Sequence, residues 1–275
     1  MNGAPIGVFD SGVGGLTVAS QILRKLPSES VLYLADTVHV PYGERPMDEI
    51  RSFALDITGF LRSMGAKMVV MACNMSSAVA LGAAREAFPD IPVLGVIGPG
   101  SRAAARLAGD RPVGVLATTG TVSSHAYSAS VEAARPGTAV FEQACPRFVP
   151  LVENGDADSP QAYEAAREYV QPLLREGVGT IILGCTHYPF LTSAIAEAAG
   201  PSIHIVDPAE ETVAEIEKTL TERSIQAPLL PGTEHRFFCT GDRDSFAEVG
   251  GRFLGGRVER VEQPVWGVDL GKVLA

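Results

Sequence analysis

The chain has 275 residues, of which 46% are hydrophobic and 20% charged, with a formal net charge of −10. That length and composition suit one or two packed domains with a sizeable core. The acidic balance argues against nucleic acid, because binding phosphates gains from basic groups that release counterions. No uninterrupted apolar run reaches the ~20 residues of a membrane span. The start, MNGAPIGVFDSG, lacks a charged segment followed by an apolar stretch, so a cytoplasmic protein without a secretory signal is expected.

In chain order, buried strands are predicted at 5–10 (PIGVFD), 30–36 (SVLYLAD), 67–73 (KMVVMAC), 92–97 (PVLGVI), 112–118 (PVGVLAT) and 180–185 (TIILGC). These runs are almost wholly apolar rather than alternating, as parallel strands covered on both faces should be. Between them, 48–65 and 162–177 carry apolar residues at helical spacing, and each ends in glycine. After Asp207 come a helical segment at 211–220 and a strand-like segment at 234–240, which are expected to return to the first half. The pattern is α/β, with mainly parallel, doubly wound sheets.

The chain also echoes itself. GVFDSG at 7–12 is similar to GVLATTG at 114–120, and VVMACNMSSAVA at 69–80 to IILGCTHYPFLT at 181–192. Gly7 and Gly114 are 107 apart, and Cys73 and Cys185 are 112 apart. Near-equal offsets predict two similar halves, each with a strand ending in cysteine. Functional groups of open parallel sheets gather at the carboxyl ends of strands. Asp10, Asp36, Cys73, Thr118 and Cys185 all fall there.

Four cysteines at 73, 145, 185 and 239, without a CxxC pair, point to thiols rather than disulfides. Two thiols suit one demanding task. Inverting an α-carbon requires a base on one face and an acid on the other, and thiols serve when one is ionised and the other is not. A helix start after each strand end favours the anion at Cys73 and Cys185. His187 lies two residues past Cys185, and Asp10 at the first strand tip can assist Cys73. Ser11, Asn74, Ser76, Thr118, Thr121 and Thr186 supply hydroxyls and an amide beside these tips, suited to a carboxylate ligand.

Plainer readings hold elsewhere. Cys145 and Cys239 are expected to be inert buried thiols. A zinc site built from Cys73, Cys185, His187 and Asp10 lacks CxxC or HExxH spacing, so no metal is expected. A Cys–His hydrolase leaves the second cysteine idle. GVGG lacks the rest of a phosphate-loop pattern. Asp36 and His39 order a loop, Glu153 reads as a solvated loop acid, and His125, His204 and His235 are structural or surface residues.

The segments IGVFDSGVGGLTV (6–18), LADTVHVPYGERP (34–46), ACNMSSA (72–78), GVIGPG (95–100), CPRFVPLVENG (145–155), LGCTHYPFL (183–191) and TGD (240–242) resemble those of glutamate racemases in the aspartate/glutamate racemase superfamily. The resemblance implies two pseudo-symmetric α/β domains, 1–97 with 208–275 and 98–207, and an active site in the cleft between them. It implies no cofactor, a small acidic amino acid as ligand, and D-glutamate for bacterial peptidoglycan as product; a homodimer is expected only as the commonest arrangement of soluble oligomers. Cys73 would deprotonate the D-isomer and Cys185 the L-isomer, assisted by Asp10 and His187. Ser11, Tyr42, Gly43, Asn74, Thr118, Thr121 and Thr186 would bind substrate, with Glu153 at the cleft edge. One position departs: the family's CNTASA is CNMSSA here. Met75 replaces a threonine whose hydroxyl holds a substrate carboxylate, and a thioether cannot donate that bond. The alternatives that follow are racemisation of aspartate or another acidic amino acid, or a catalytically weak binding or regulatory protein.

Overall fold

The computed structural model describes residues 2–228, 233–254, 256, 258 and 260–265. The last ten residues expected in the first domain, 266–275, lie outside the described residues. The chain runs β1 (Ile6–Asp10), α1 (Leu16–Lys25), β2 (Val31–Ala35), α2 (Met47–Ser63), β3 (Met68–Met71), α3 (Asn74–Ala87), β4 (Val93–Gly95) and α4 (Ile97–Ala108). It continues through β5 (Val113–Ala117), α5 (Thr119–Ser124), α6 (Ala126–Ala134), β6 (Val140–Ala144), α7 (Phe148–Glu153), α8 (Pro160–Arg175) and β7 (Thr180–Gly184). Then come α9 (Thr192–Ala199), β8 (His204–Val206), α10 (Pro208–Glu222), β9 (Arg236–Cys239), α11 (Arg243–Leu254) and β10 (Val261–Glu262). Among the described residues, no helix is long and apolar enough to cross a membrane.

The chain divides into two compact units, Met1–Gly95 with Val213–Ala275, and Val96–Thr212. The first holds a six-stranded sheet ordered β10-β9-β2-β1-β3-β4, and the second a four-stranded sheet ordered β6-β5-β7-β8. Every strand pair is parallel. The order β2-β1-β3-β4 has the same topology as β6-β5-β7-β8, so the sequence echo corresponds to a repeated strand plan. In each sheet the connections reverse direction between two neighbouring strands, β1 and β3 in one and β5 and β7 in the other. Ligands of open α/β sheets bind beyond the strand ends at such a point.

The first unit shows why continuous apolar strands suit this plan. Leu32 and Leu34 of β2 join a core with Phe9, Ile57, Leu61 and Met71, on the side of α2. Tyr33, between them, points to the opposite face and stacks on Phe246 of α11 at 6.1 Å. Both faces are covered, and each fully buried large side chain contributes about 1.5–3 kcal/mol. Glycines end the helices as the sequence predicts. Gly65 has φ +86°, its N–H donates to Arg62 O, and the next N–H, of Ala66, donates to Leu61 O. This left-handed closure after α2 recurs at Gly177, φ +71°, after α8.

Three strands escape the sequence reading: β6, β8 and β10. All are edge strands or short, and β6 is only partly buried along its length. An edge strand with one face near solvent does not need an unbroken apolar run. Conversely, the helix expected directly after Cys185 is not there. Tyr188–Leu191 forms a 3-10 turn, with Tyr188 N–H donating to Cys185 O, and α9 begins only at Thr192. Pro189 sits in the first positions of that turn, where a missing N–H costs nothing.

Candidate active site

In the first unit, Cys73 follows β3 as the N-cap of α3, directly across the switch point from the end of β1. It is 6% exposed. The helix start turns the N–H groups of its first residues toward that end, a favourable setting for an anion. Asn74 opens the helix and is buried, and Ser77 donates from its hydroxyl to Met71 O at 2.8 Å. Ser76 Oγ is fully buried and has no hydrogen-bond partner among the described residues.

At the tip of β1, Asp10 is buried and its Oδ2 accepts the N–H of Gly12 at 3.2 Å and of Gly15 at 2.9 Å. The 10–15 loop thus wraps its own carboxylate. Tyr33 holds the loop from below, donating to Gly12 O at 2.7 Å. A Cβ on Gly15 would lie 2.4 Å from Asp10 Cβ and 2.7 Å from the Tyr33 oxygen, so only glycine permits this approach. Burial, and secondarily the charges of Asp10 and Cys73, push the Tyr33 phenol well above its usual range. Ser11 is half-buried at the same tip.

Tyr42 opens a 3-10 turn, Tyr42–Glu44, that includes Gly43. Its hydroxyl donates to Asp36 Oδ2 at 2.6 Å. Its phenol is pushed up by burial first, then by Asp36, and also by Cys73 and Asp10, which sets those acids around it. Met75 packs in one buried cluster with Tyr42, Ile50 and Cys73.

In the second unit, Cys185 follows β7 and is 9% exposed. Its Sγ lies 3.8 Å from His187 Nδ1, and His187 Nε2 lies 3.2 Å from Glu153 Oε1. Glu153 is the last residue of α7, with its side chain 46% exposed. Thiol, imidazole and carboxylate therefore form a row able to pass a proton from sulfur to nitrogen while the carboxylate fixes the ring. Thr118 caps α5, its Oγ1 accepting from Thr121 N–H and lying 3.1 Å from Thr121 Oγ1. Thr121 and Thr186 are buried.

The remaining thiols differ. Burial pushes the Cys145 thiol up, opposed by a hydrogen bond from the Ala117 backbone. Cys239 is fully buried beside Thr37 Oγ1 at 3.0 Å. Among the described residues, no group of three or more His, Cys, Asp or Glu side chains is placed to hold a metal ion.

The first unit thus brings Tyr42 and Met75 against Cys73, with Asp10 at the end of the neighbouring strand, and the second brings Glu153 and His187 to Cys185. What the sequence reading missed is the direct link from Glu153 to His187, and the role of Asp36 beneath Tyr42. Neither link has a sequence signal: 34 residues separate Glu153 from His187.

A profile described as Asp/Glu/Hydantoin racemase matches residues 6–216. A glutamate racemase from Desulforudis audaxviator is 45% identical over 264 residues, covering 94% of this chain and 96% of its own. The crystal structure of a glutamate racemase isoform from Bacillus anthracis superposes with a TM-score of 0.91 at 40% identity, covering 96% of this chain and 98% of that one. That of a glutamate racemase from Francisella tularensis, in complex with D-glutamate, gives 0.90 at 31% identity over 97% and 99%. With a family profile matching residues 6–216 and relatives and solved structures alike over nearly its whole length, the chain belongs to the Asp/Glu/Hydantoin racemase family.

Proposed function

We propose that the chain interconverts L- and D-glutamate by 1,1-proton transfer between two thiols, without a cofactor. Cys73 removes the Cα proton of the D-isomer and Cys185 that of the L-isomer, the other thiol delivering a proton to the opposite face. Asp10 assists Cys73, and His187 assists Cys185. Ser11, Tyr42, Gly43, Asn74, Thr118, Thr121 and Thr186 bind the substrate, and Met75 borders it. In this reading the D-glutamate enters peptidoglycan synthesis, and the enzyme is a cytoplasmic homodimer.

The observation that carries the reading is the repeated strand plan, in which a cysteine follows the equivalent strand of each sheet, β3 in one and β7 in the other. A matched pair of acid/base groups is what two-sided inversion of a carbon needs. The row from Cys185 through His187 to Glu153 supports proton transfer at one of them. The naming of the relatives supports glutamate as substrate.

Incubation of the purified chain with L-glutamate in D₂O, without added cofactor, tests it. Optical activity should vanish while the Cα proton is replaced by deuterium, and alanine at either Cys73 or Cys185 should abolish racemisation. Absence of exchange with both isomers at high enzyme concentration overturns the proposal. Met75 favours a second reading, racemisation of aspartate, because its thioether brings an apolar group to the Cys73 cluster. A panel of acidic amino acids separates the two: turnover of aspartate equal to or above that of glutamate selects the second.

A further inference from the structure

The loop between β2 and α2 is tied down by one buried carboxylate. Asp36 is 2% exposed, and its own N–H donates to Asp10 O at 3.0 Å. Both of its oxygens are engaged. Oδ1 accepts from Thr240 Oγ1 at 2.9 Å, Oδ2 accepts from Tyr42 at 2.6 Å, and His39 Nδ1 lies 2.8–2.9 Å from both. A buried carboxylate is tolerated only with such compensation. Its donors come from three places: the loop itself, the Tyr42–Glu44 turn, and the end of β9.

Further ties fix the same arrangement. Val38 N–H donates to Thr240 Oγ1 at 3.1 Å and Gly241 N–H to Thr37 Oγ1 at 3.0 Å. A Cβ at Gly241 would lie 2.6 Å from Thr37 Oγ1, so a side chain there would push the two segments apart. His39 stacks on Phe53 at 4.0 Å, and Arg45 Nε donates to His39 O. On the other side of the loop, the Tyr42 ring packs with Cys73 and Met75. Because the Tyr42 hydroxyl is directed inward to Asp36, what the turn can present to a ligand is its backbone, whose first N–H groups lack intrahelical partners.

We propose that Asp36 is a positioning residue for the reaction, its carboxylate holding the Tyr42–Glu44 turn beside Cys73 and thereby setting where that turn meets the substrate. This rests on the proposed reading of Tyr42 and Gly43 as substrate-binding. Asp36 does not touch the reacting atoms. It acts through a charge-assisted bond to a neutral hydroxyl, of the stronger kind. Small displacements of a substrate-positioning group have large kinetic effects.

The test compares the full-length wild type with Asp36→Asn and Tyr42→Phe, by racemisation kinetics in both directions and by hydrogen exchange over residues 37–46. Asp36→Asn should raise KM for glutamate about tenfold or more while kcat changes far less. Exchange in 37–46 should quicken while the rest of the chain stays protected. Tyr42→Phe should move both readouts the same way, and the double variant should be little worse than Asp36→Asn, since the two changes break one bond. A purely structural role would lower kcat through loss of folded enzyme and leave KM unchanged. Unchanged KM in folded variants, or unaltered protection of 37–46, overturns the inference. If Asp36→Asn does not fold, Tyr42→Phe carries both readouts. If the wild type fails to turn over glutamate, the proposed reaction falls, and the exchange measurement alone still decides whether Asp36 holds the turn.

Discussion

Glu153 Oε1 lies 3.2 Å from His187 Nε2, on the side of the ring opposite the nitrogen that faces Cys185. The carboxylate thereby favours the tautomer with the proton on Nε2, leaving Nδ1 open to the thiol. Glu153→Gln should lower kcat/KM by about tenfold, a part of the roughly 10²–10⁴-fold that positioned proton transfer contributes. Enantiomers have equal free energy, so kcat/KM must fall equally in both directions. The asymmetry should appear in the isotope effects: deuterium at Cα should be felt more strongly from L-glutamate, whose proton Cys185 removes in the proposed reaction. Equal isotope effects, or unchanged kcat/KM, would remove Glu153 from the relay.

Met75 fills space between Tyr42, Ile50 and Cys73. Met75→Thr should cost about 1–3 kcal/mol of stability, because it leaves a void and buries a hydroxyl. If the substrate is glutamate, the new hydroxyl should also lower KM severalfold. Unfolding curves and steady-state kinetics on one preparation read both effects, and a fall in stability with no gain in KM would count against a substrate contact at this position.

Lys67 Nζ lies 2.5 Å from Glu29 Oε2, with both side chains almost wholly buried. Lys67 also donates to Asn2 O at 2.9 Å, and Glu29 Oε1 accepts from Ala227 N–H at 2.8 Å. Lys67→Met should destabilise by about 3–5 kcal/mol, because it strands a buried charge. Adding Glu29→Gln should restore most of that loss, since the amide oxygen can keep the Ala227 bond. Urea unfolding of the two variants checks both, and a double variant as weak as the single would refute the account.

Tyr33, Tyr42, Tyr127 and Tyr188 all have phenols raised above their ordinary value of 10.0, chiefly by burial. Above that pH the unfolded chain loses these protons while the folded chain keeps them. The stability they carry is therefore complete below about pH 10 and declines as pH rises further, by up to about 1.4 kcal/mol per tyrosine per pH unit. Urea midpoints from about pH 8 to about pH 11 should be flat at first and then fall steeply. A flat profile throughout would contradict the burial.

Much of the architecture was legible in the sequence. The central strands announced themselves because both of their faces are covered, and the closing glycines because a left-handed residue must end α2 and α8. Asp10, Cys73, Thr118 and Cys185 were placed at strand ends by the same apolar runs. The edge strands β6, β8 and β10 were hidden because half-solvated strands carry no comparable pattern. Contacts between distant segments were equally silent. Nothing local in FVPLVENG shows that Glu153 meets His187, and Asp36 read only as a loop-ordering residue because Thr240 arrives from 204 positions away. The turn after Cys185 was misjudged as a helix, although Pro189 is the residue that explains its tighter winding.

The pairing of β2 with β9 joins Leu32 to Arg236, across about 200 residues of chain. At ribosomal rates of about 5–20 residues per second, β2 waits roughly 10–40 s for that neighbour. Throughout that interval a nascent chain exposes the unpaired backbone of an apolar strand, the kind of edge that recruits other chains. Thr240, which completes the ligation of Asp36, emerges in the same late segment. The second unit, Val96–Thr212, lies wholly within the intervening stretch and needs nothing from beyond it to pair its four strands. During synthesis, the thiol that follows β7 is therefore set beside its sheet before the one that follows β3 has its finished surroundings, and chaperone dependence should concentrate on the interval before β9 appears.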